Sequence, residues 1–265
     1  MDRSFLSQPE VIAASRSFVC VRLSTYESDA EAKVLKSIFI GGSGELENTT
    51  FAILSPDADR LLVRPGRSPD FAFRGTATAS ASRQMAETMT AIARFYKVDQ
   101  QNTGNNQSLA ALHDLRLALN VASCDSQPLV VAVARDAAAR ERVSELLRKL
   151  SWSDEFIGKC AYAVISDPAE LKLRGVTGNS RAEGIFLVEP DRFGQKGAVL
   201  GEVALTASAT ILGDTVRAAL KQHQSYAKDT GQHIAEGRRL GVEWKTVIPI
   251  TDPGPQGMRR GPGLR

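Results

Sequence analysis

Residues 128–134, PLVVAVA, form an unbroken apolar run of strand length, the pattern of a strand buried inside a sheet. The helix that follows, AARERVSELLRKL (138–150), gathers Val143, Leu146, Leu147 and Leu150 on one face. CAYAVIS (160–166) then reads as a strand, and DPAELKLRG (167–175) as a helix with proline in its first turn. GIFLVEPDRFGQKGAVLGEV (184–203) reads as a hairpin, and TILGDTVRAALKQHQ (210–224) as a closing helix. Strands alternating with helices in this way specify an α/β domain with a central mixed sheet flanked by helices.

The first half follows the same plan. FLSQPEVIAASR (5–16) is helical, SFVCVRLST (17–25) is a strand rich in β-branched and aromatic residues, and SDAEAKVLKSIF (28–39) is a helix capped by Ser28 or Asp29. The apolar face of that helix is Ala30, Val34 and Ile38. TTFAILSPDADRLLV (49–63) is a hairpin turning on Pro56 and Asp57, and SRQMAETMTAIARFYK (82–97) is a closing helix with Met85, Met89, Ile92 and Phe95 at helical spacing. The SPD of the first hairpin answers the EPD of the second, so the halves read as an internal duplication. They differ at the front: nothing in residues 1–16 corresponds to the strand 128–134 and the first turns of its helix.

Four segments result. Residues 1–97 form the first domain, and 98–127 a polar linker with a connecting helix, LAALHDLRLAL (109–119). Residues 128–228 form the second domain, and 229–265 a Pro/Gly-rich tail.

The succession strand, helix, strand, helix, hairpin, helix resembles the thioredoxin fold. FLSQPEVIAASRSFVCVRLST, followed by ENTTFAILSPDADRLLV, is similar to a bacterial thioredoxin-like branch in which a helix carrying a PEV segment leads into a valine-rich strand and later a Pro-Asp hairpin. The resemblance covers roughly residues 4–97; over 128–224 it rests on element order and the Pro-Asp turn. It implies two thioredoxin-like α/β domains and thiol-disulfide oxidoreductase chemistry. It also implies a CxxC pair at the start of the helix that FLSQPEV continues, where a helix N-terminus stabilises the thiolate. That place falls at or before Met1, so the pair is expected upstream of the chain, as cysteines or with selenocysteine. Thr49 stands where the resemblance places a substrate-presenting cis-proline, which makes it a candidate substrate-binding residue and weakens the redox inference.

In the resembled sheet the strand leading into the CxxC helix lies between those matched by 18–25 and 50–54. Without it, buried backbone groups would be orphaned at about 1–3 kcal/mol each. Several together would rival a domain's whole stability of roughly 5–15 kcal/mol. Three arrangements avoid this cost: a segment upstream of Met1, direct pairing of 18–25 with 50–54, or a strand from elsewhere such as EWKTVIPI (243–250). The first is favoured, because Met1-Asp2-Arg3 reads as helix interior.

The residues themselves assemble no nucleophile with a base. Cys20, Cys124 and Cys160 are widely spaced and form no CxxC, and no cysteine–histidine cluster indicates zinc. Cys20 is a weak candidate thiol, since a strand-centre position lacks the helix N-terminus that would activate it. His113 reads as a helix-surface residue, and His223 and His233 have no identifiable partner. GGSG (41–44) follows a helix instead of opening one, so it does not indicate a phosphate nest. No cofactor is expected. Net charge is +3, with three arginines in the final GMRRGPGLR, so no nucleic-acid footprint is expected. No apolar run approaches the roughly 20 residues of a membrane-spanning helix. A protein substrate or protein partner is expected, with self-association open. The compartment is undetermined because a signal peptide would also lie upstream. The alternative reading is a non-catalytic thioredoxin-fold interaction or scaffold module.

Overall fold

The computed structural model describes residues 5–40, 44–47, 50–73, 78–96, 108–225 and 229–251. The chain divides into two compact units, residues 1–100 with 244–265, and residues 101–243.

The first unit holds α1 (Pro9–Ser15), α2 (Asp29–Ile38), a short 3-10 turn at Pro69–Phe71, and α3 (Thr78–Phe95). Proline at the first position of α1 gives up a backbone donor that no helix start can use. Phe5, Val11, Ile53, Phe73, Met85 and Met89 are its buried core. The stripe expected on α3 ends early: Met85 and Met89 are buried, Ile92 is partly covered, and Phe95 is 81% exposed. On α2 the expected face is displaced. Val34 is exposed, whereas Ala32 and Leu35 pack against Leu46, with Leu23, Tyr26 and Ile248 around them. Ser28 caps α2 by accepting the Glu31 N–H, and Glu31 reaches back to the Ser24 N–H.

Two strand expectations fail here. Residues 17–25 form no strand: Val19 is 89% and Val21 73% exposed. The hairpin 49–63 is reduced to two antiparallel bridges, Phe51 with Gly66 and Leu54 with Leu61. The physical reason is that a strand is completed by partners distant in sequence, so β-branched composition alone cannot make one. Direct pairing of 18–25 with 50–54 is likewise not formed among the described residues. The segment 244–251 belongs to this unit, but it docks beside α2: Val247 and Ile248 donate to the Tyr26 carbonyl at 2.9 and 3.2 Å, the Trp244 indole donates to Glu27, and the Thr251 hydroxyl donates to the Leu46 carbonyl.

The second unit is α/β. Its elements are β1 (Ala111–Leu112), α4 (Leu115–Asp125), β2 (Leu129–Val133), α5 (Ala137–Ser151), β3 (Ala161–Ile165), α6 (Ala169–Leu173), β4 (Val176–Thr177), β5 (Gly184–Pro190), β6 (Gly197–Val203), α7 (Ala209–Gln222) and α8 (Thr230–Arg239). They build one mixed six-stranded sheet in the order β1-β3-β2-β5-β6-β4. β2 lies parallel to β3, with Val131 opposite Ala163, and antiparallel to β5, with Val131 opposite Phe186. Every residue of β2 is fully buried, as its unbroken apolar run requires.

Alternation along β2 feeds two cores. Val130 and Ala132 join Val143 and Leu147 of α5 and Leu212 and Val216 of α7. Leu129, Val131 and Val133 join Leu115 and Leu119 of α4 and Leu171 of α6. The helix expected to connect the halves over 109–119 instead starts at Leu115, capped by Asp114 accepting the Leu117 N–H, and lies against this second core.

Candidate functional site

β2 delivers the chain to the N-terminus of α5, where the redox motif of a thioredoxin-like domain would stand. The residues there are Ala134, Arg135, Asp136 and Ala137. Asp136 caps the helix, accepting the Ala139 N–H at 2.6 Å. The Arg140 guanidinium donates to the carbonyls of Ala134 at 2.8 Å and Arg135 at 2.5 Å. Glu183, just before β5, accepts the Arg135 N–H at 3.0 Å and pairs with its guanidinium at 3.2 Å. The Ala139 and Arg135 N–H groups and the Ala134 and Arg135 carbonyls are thus engaged by the protein's own side chains, and no sulfur stands among them.

The thiols lie elsewhere and apart. Cys20 is exposed, and its sulfur sits 3.9 Å from the Ser15 carbonyl, an acceptor that offers a thiolate no stabilisation. Thr49 lies outside the described residues. Cys124 is exposed in the last turn of α4. Cys160 is buried at the foot of β3, and that burial pushes its thiol up to about 12. Burial likewise raises the neighbouring Tyr162 phenol.

Histidine roles, which the sequence left without partners, are set by tertiary contacts. His223, at the end of α7, places Nδ1 2.7 Å from a Glu189 carboxylate oxygen on β5 and Nε2 2.8 Å from the Ser126 carbonyl after α4. Both neighbours are acceptors, so the ring joins three elements. His113 is not a helix-surface residue: it precedes α4 and reaches the Val164 carbonyl of β3 with Nδ1 at 3.2 Å. His233 of α8 stacks on Phe193 with ring centroids 4.7 Å apart. Each of these contacts ties one part of the second unit to another.

In the first unit, an open groove of about 850 Å3 runs between α1 and α3, lined by Ala14, Ala86 and Thr90 with Glu10 and Arg83 at its edge. Backbone hydrogen bonding and the Ser82 hydroxyl, which donates to it, hold the Glu10 carboxyl below its ordinary value. The groove therefore presents small side chains together with the carboxylates of Glu10 and Glu87 and the guanidinium groups of Arg83 and Arg94. Among the described residues no group of three or more His, Cys, Asp and Glu side chains is arranged to hold a metal, and no helix is long and apolar enough to cross a membrane. Comparison with protein-family models, with curated proteins and with solved structures gave no match to this chain.

Proposed function

We propose that the chain is a thioredoxin-like protein related to the thiol-disulfide oxidoreductases, in which residues 101–243 are a redox-inactive thioredoxin-like module and the redox pair lies outside residues 1–265. The observation that carries this reading is the order and direction of four strands: β2 between a parallel β3 and an antiparallel β5, with β6 closing the hairpin and α7 following. That is the arrangement the thioredoxin resemblance implies. The N-terminus of α5 supports the inactive role of this unit, because it carries no cysteine and Asp136 already caps it through the Ala139 N–H, with Glu183 holding the Arg135 N–H just before it.

The test is the N-terminal sequence and intact mass of the protein isolated from its own cells, followed by a disulfide-reduction assay on that protein. An extension carrying CxxC, or its selenium form, together with reductase activity is the expected result. A native chain with no thiol pair and no activity would overturn the redox part. The second reading, a non-catalytic interaction module, would then stand on the same closed helix end.

A further inference from the structure

The two units share one hairpin. In the second, the Asp191 N–H donates to the Lys196 carbonyl at 2.8 Å, the Gly194 N–H donates to the Asp191 carbonyl at 2.9 Å, and Gly194 is left-handed at φ 65°. In the first, the Ser55 N–H donates to the Arg60 carbonyl at 2.9 Å, the Ala58 N–H donates to the Ser55 carbonyl at 2.8 Å, and Ala58 is left-handed at φ 62°. The flanking pairs correspond too: Leu54 faces Leu61 as Pro190 faces Gly197. Each hairpin then slips register, between Leu187 and Val188 in one and between the Leu54 and Phe51 bridges in the other. On this correspondence Ala52 takes the place of Val188 and Phe51 that of Leu187.

The shared hairpin makes the second unit a template for the first. There, the hairpin's outer edge is covered by β2, which also covers β3. In the first unit Phe51 and Ile53 bond inward, to Gly66 and Leu62, which turns the backbone groups of Ala52 and Leu54 outward. Those groups have no hydrogen-bond partner among the described residues. Residues 19–23, which follow α1 as β3 follows α5, carry no regular secondary structure, and Val19 and Val21 are exposed. Val19, Val21 and Leu23 make no backbone hydrogen bond among the described residues either. Phe18 anchors the start of this segment in the same apolar cluster as Phe51 and Ile53. Unpaired backbone groups of Ala52 and Leu54, and of Val19, Val21 and Leu23, with two exposed valines, thus stand at the two places in the chain that the template joins through one central strand.

We infer that the first unit is an acceptor for an extended apolar strand supplied by a different protein, since this chain's own run of that chemistry, Leu129–Val133, is already buried in its sheet. This strand has the chemistry of Leu129–Val133 and runs parallel to residues 19–23 and antiparallel to Phe51–Leu54. Its main chain meets the outward groups on both sides, and its side chains cover Val19 and Val21. The occupant is apolar on both faces because the template strand is buried on both. The inference rests on the duplicated hairpin and not on the redox reading, so a chain with no reductase activity leaves it standing.

The test adds a synthetic peptide of the sequence PLVVAVA with a dilysine tail to the full chain and follows amide hydrogen exchange by mass spectrometry. The expected result is exchange slowed by about tenfold or more in 19–23 and 51–54 together, with the second unit unchanged. Val21→Pro, which removes a donor and bends the segment, should abolish that protection while the second unit's exchange stays native. Unchanged exchange at saturating peptide, with the second unit intact, would overturn the inference. So would protection of 19–23 without peptide in a chain that sediments as a dimer, since a second copy would then be the occupant.

Discussion

Ala58 and Gly194 occupy the same place in the same six-residue turn, both left-handed, both donating to the carbonyl three residues earlier. The surroundings separate them. A Cβ at Gly194 would lie 2.5 Å from the Asn120 Cα and 3.0 Å from the Leu119 carbonyl, both backbone atoms of α4. Ala58 is exposed and already holds its Cβ in solvent. A left-handed alanine costs about 1–2 kcal/mol, against roughly 0.5–1 kcal/mol of extra chain entropy for glycine. Ala58→Gly should therefore stabilise the first unit by about 0.5 kcal/mol, and Gly194→Ala should destabilise the second by more than about 2 kcal/mol. Urea unfolding followed by hydrogen exchange in each unit separates the two, and a destabilising Ala58→Gly would contradict the assigned turn.

Val21 and Leu147 test what burial means in each unit. Leu147 is fully buried between β2 and α7, so Leu147→Ala should cost about 2–5 kcal/mol. Val21 is 73% exposed, and Val21→Ala should change stability by less than about 0.5 kcal/mol. Denaturant midpoints of the two variants decide it, and a loss of 2 kcal/mol or more at Val21 would mean its side chain is covered in solution.

The cysteines should separate by reagent access and by pH. Cys20 and Cys124 are exposed and should alkylate in the native chain, while Cys160 should react only after unfolding. Burial lifts the Cys160 thiol from 9.0 to about 12, so the folded state resists its ionisation. The unfolded chain loses that proton first. The Cys160 contribution to stability is thus unchanged below pH 9 and falls as pH rises from 9.0 towards 12, with the raised Tyr162 phenol adding to the same alkaline limb. Cys160→Ala should flatten that alkaline limb in a chemical-denaturation series, and an unchanged slope would refute the assignment.

His223 should matter to stability and not to chemistry. Its ring links α7 to Glu189 on β5 and to the Ser126 carbonyl. Removing it takes away the ring that sits between the Glu189 carboxylate and the Ser126 carbonyl and leaves a half-buried acceptor without its donor, a loss of about 1–3 kcal/mol. His223→Ala should therefore lower the melting point of the second unit, measured by calorimetry. An unchanged melting point would show that water replaces the ring at no cost.

The second unit was largely legible in the sequence because its signals are local. PLVVAVA and the helical spacing of Val143 and Leu147 need no distant partner to be recognised. The first unit was not, because SFVCVRLST carries strand composition and strandedness depends on neighbours. The hairpins misled in a finer way. SPD and EPD suggest an alignment two residues away from the true one, in which Ser55 answers Asp191 and Pro56 answers Arg192. Local turn chemistry tolerates proline at either place. Within the expected tail, Thr230–Arg239 is helical, capped by Asp229 and seated through Gly237 against Phe193, contacts that a polar sequence does not announce. Of the site, only the lack of a redox motif at the start of α5 could be read. The hydrogen bond and ion pair that hold Arg135 just before that helix arise from Glu183, far along the chain.

The central position of β2 has a consequence for how the chain emerges from the ribosome. β2 is synthesised before both strands that flank it, so the most apolar run in the unit is also the one that waits longest for its two edges to be covered. Until β5 arrives with its hairpin, that run is an open template for any other nascent strand. The charged helix α5, directly after β2, then gives the waiting segment a soluble flank.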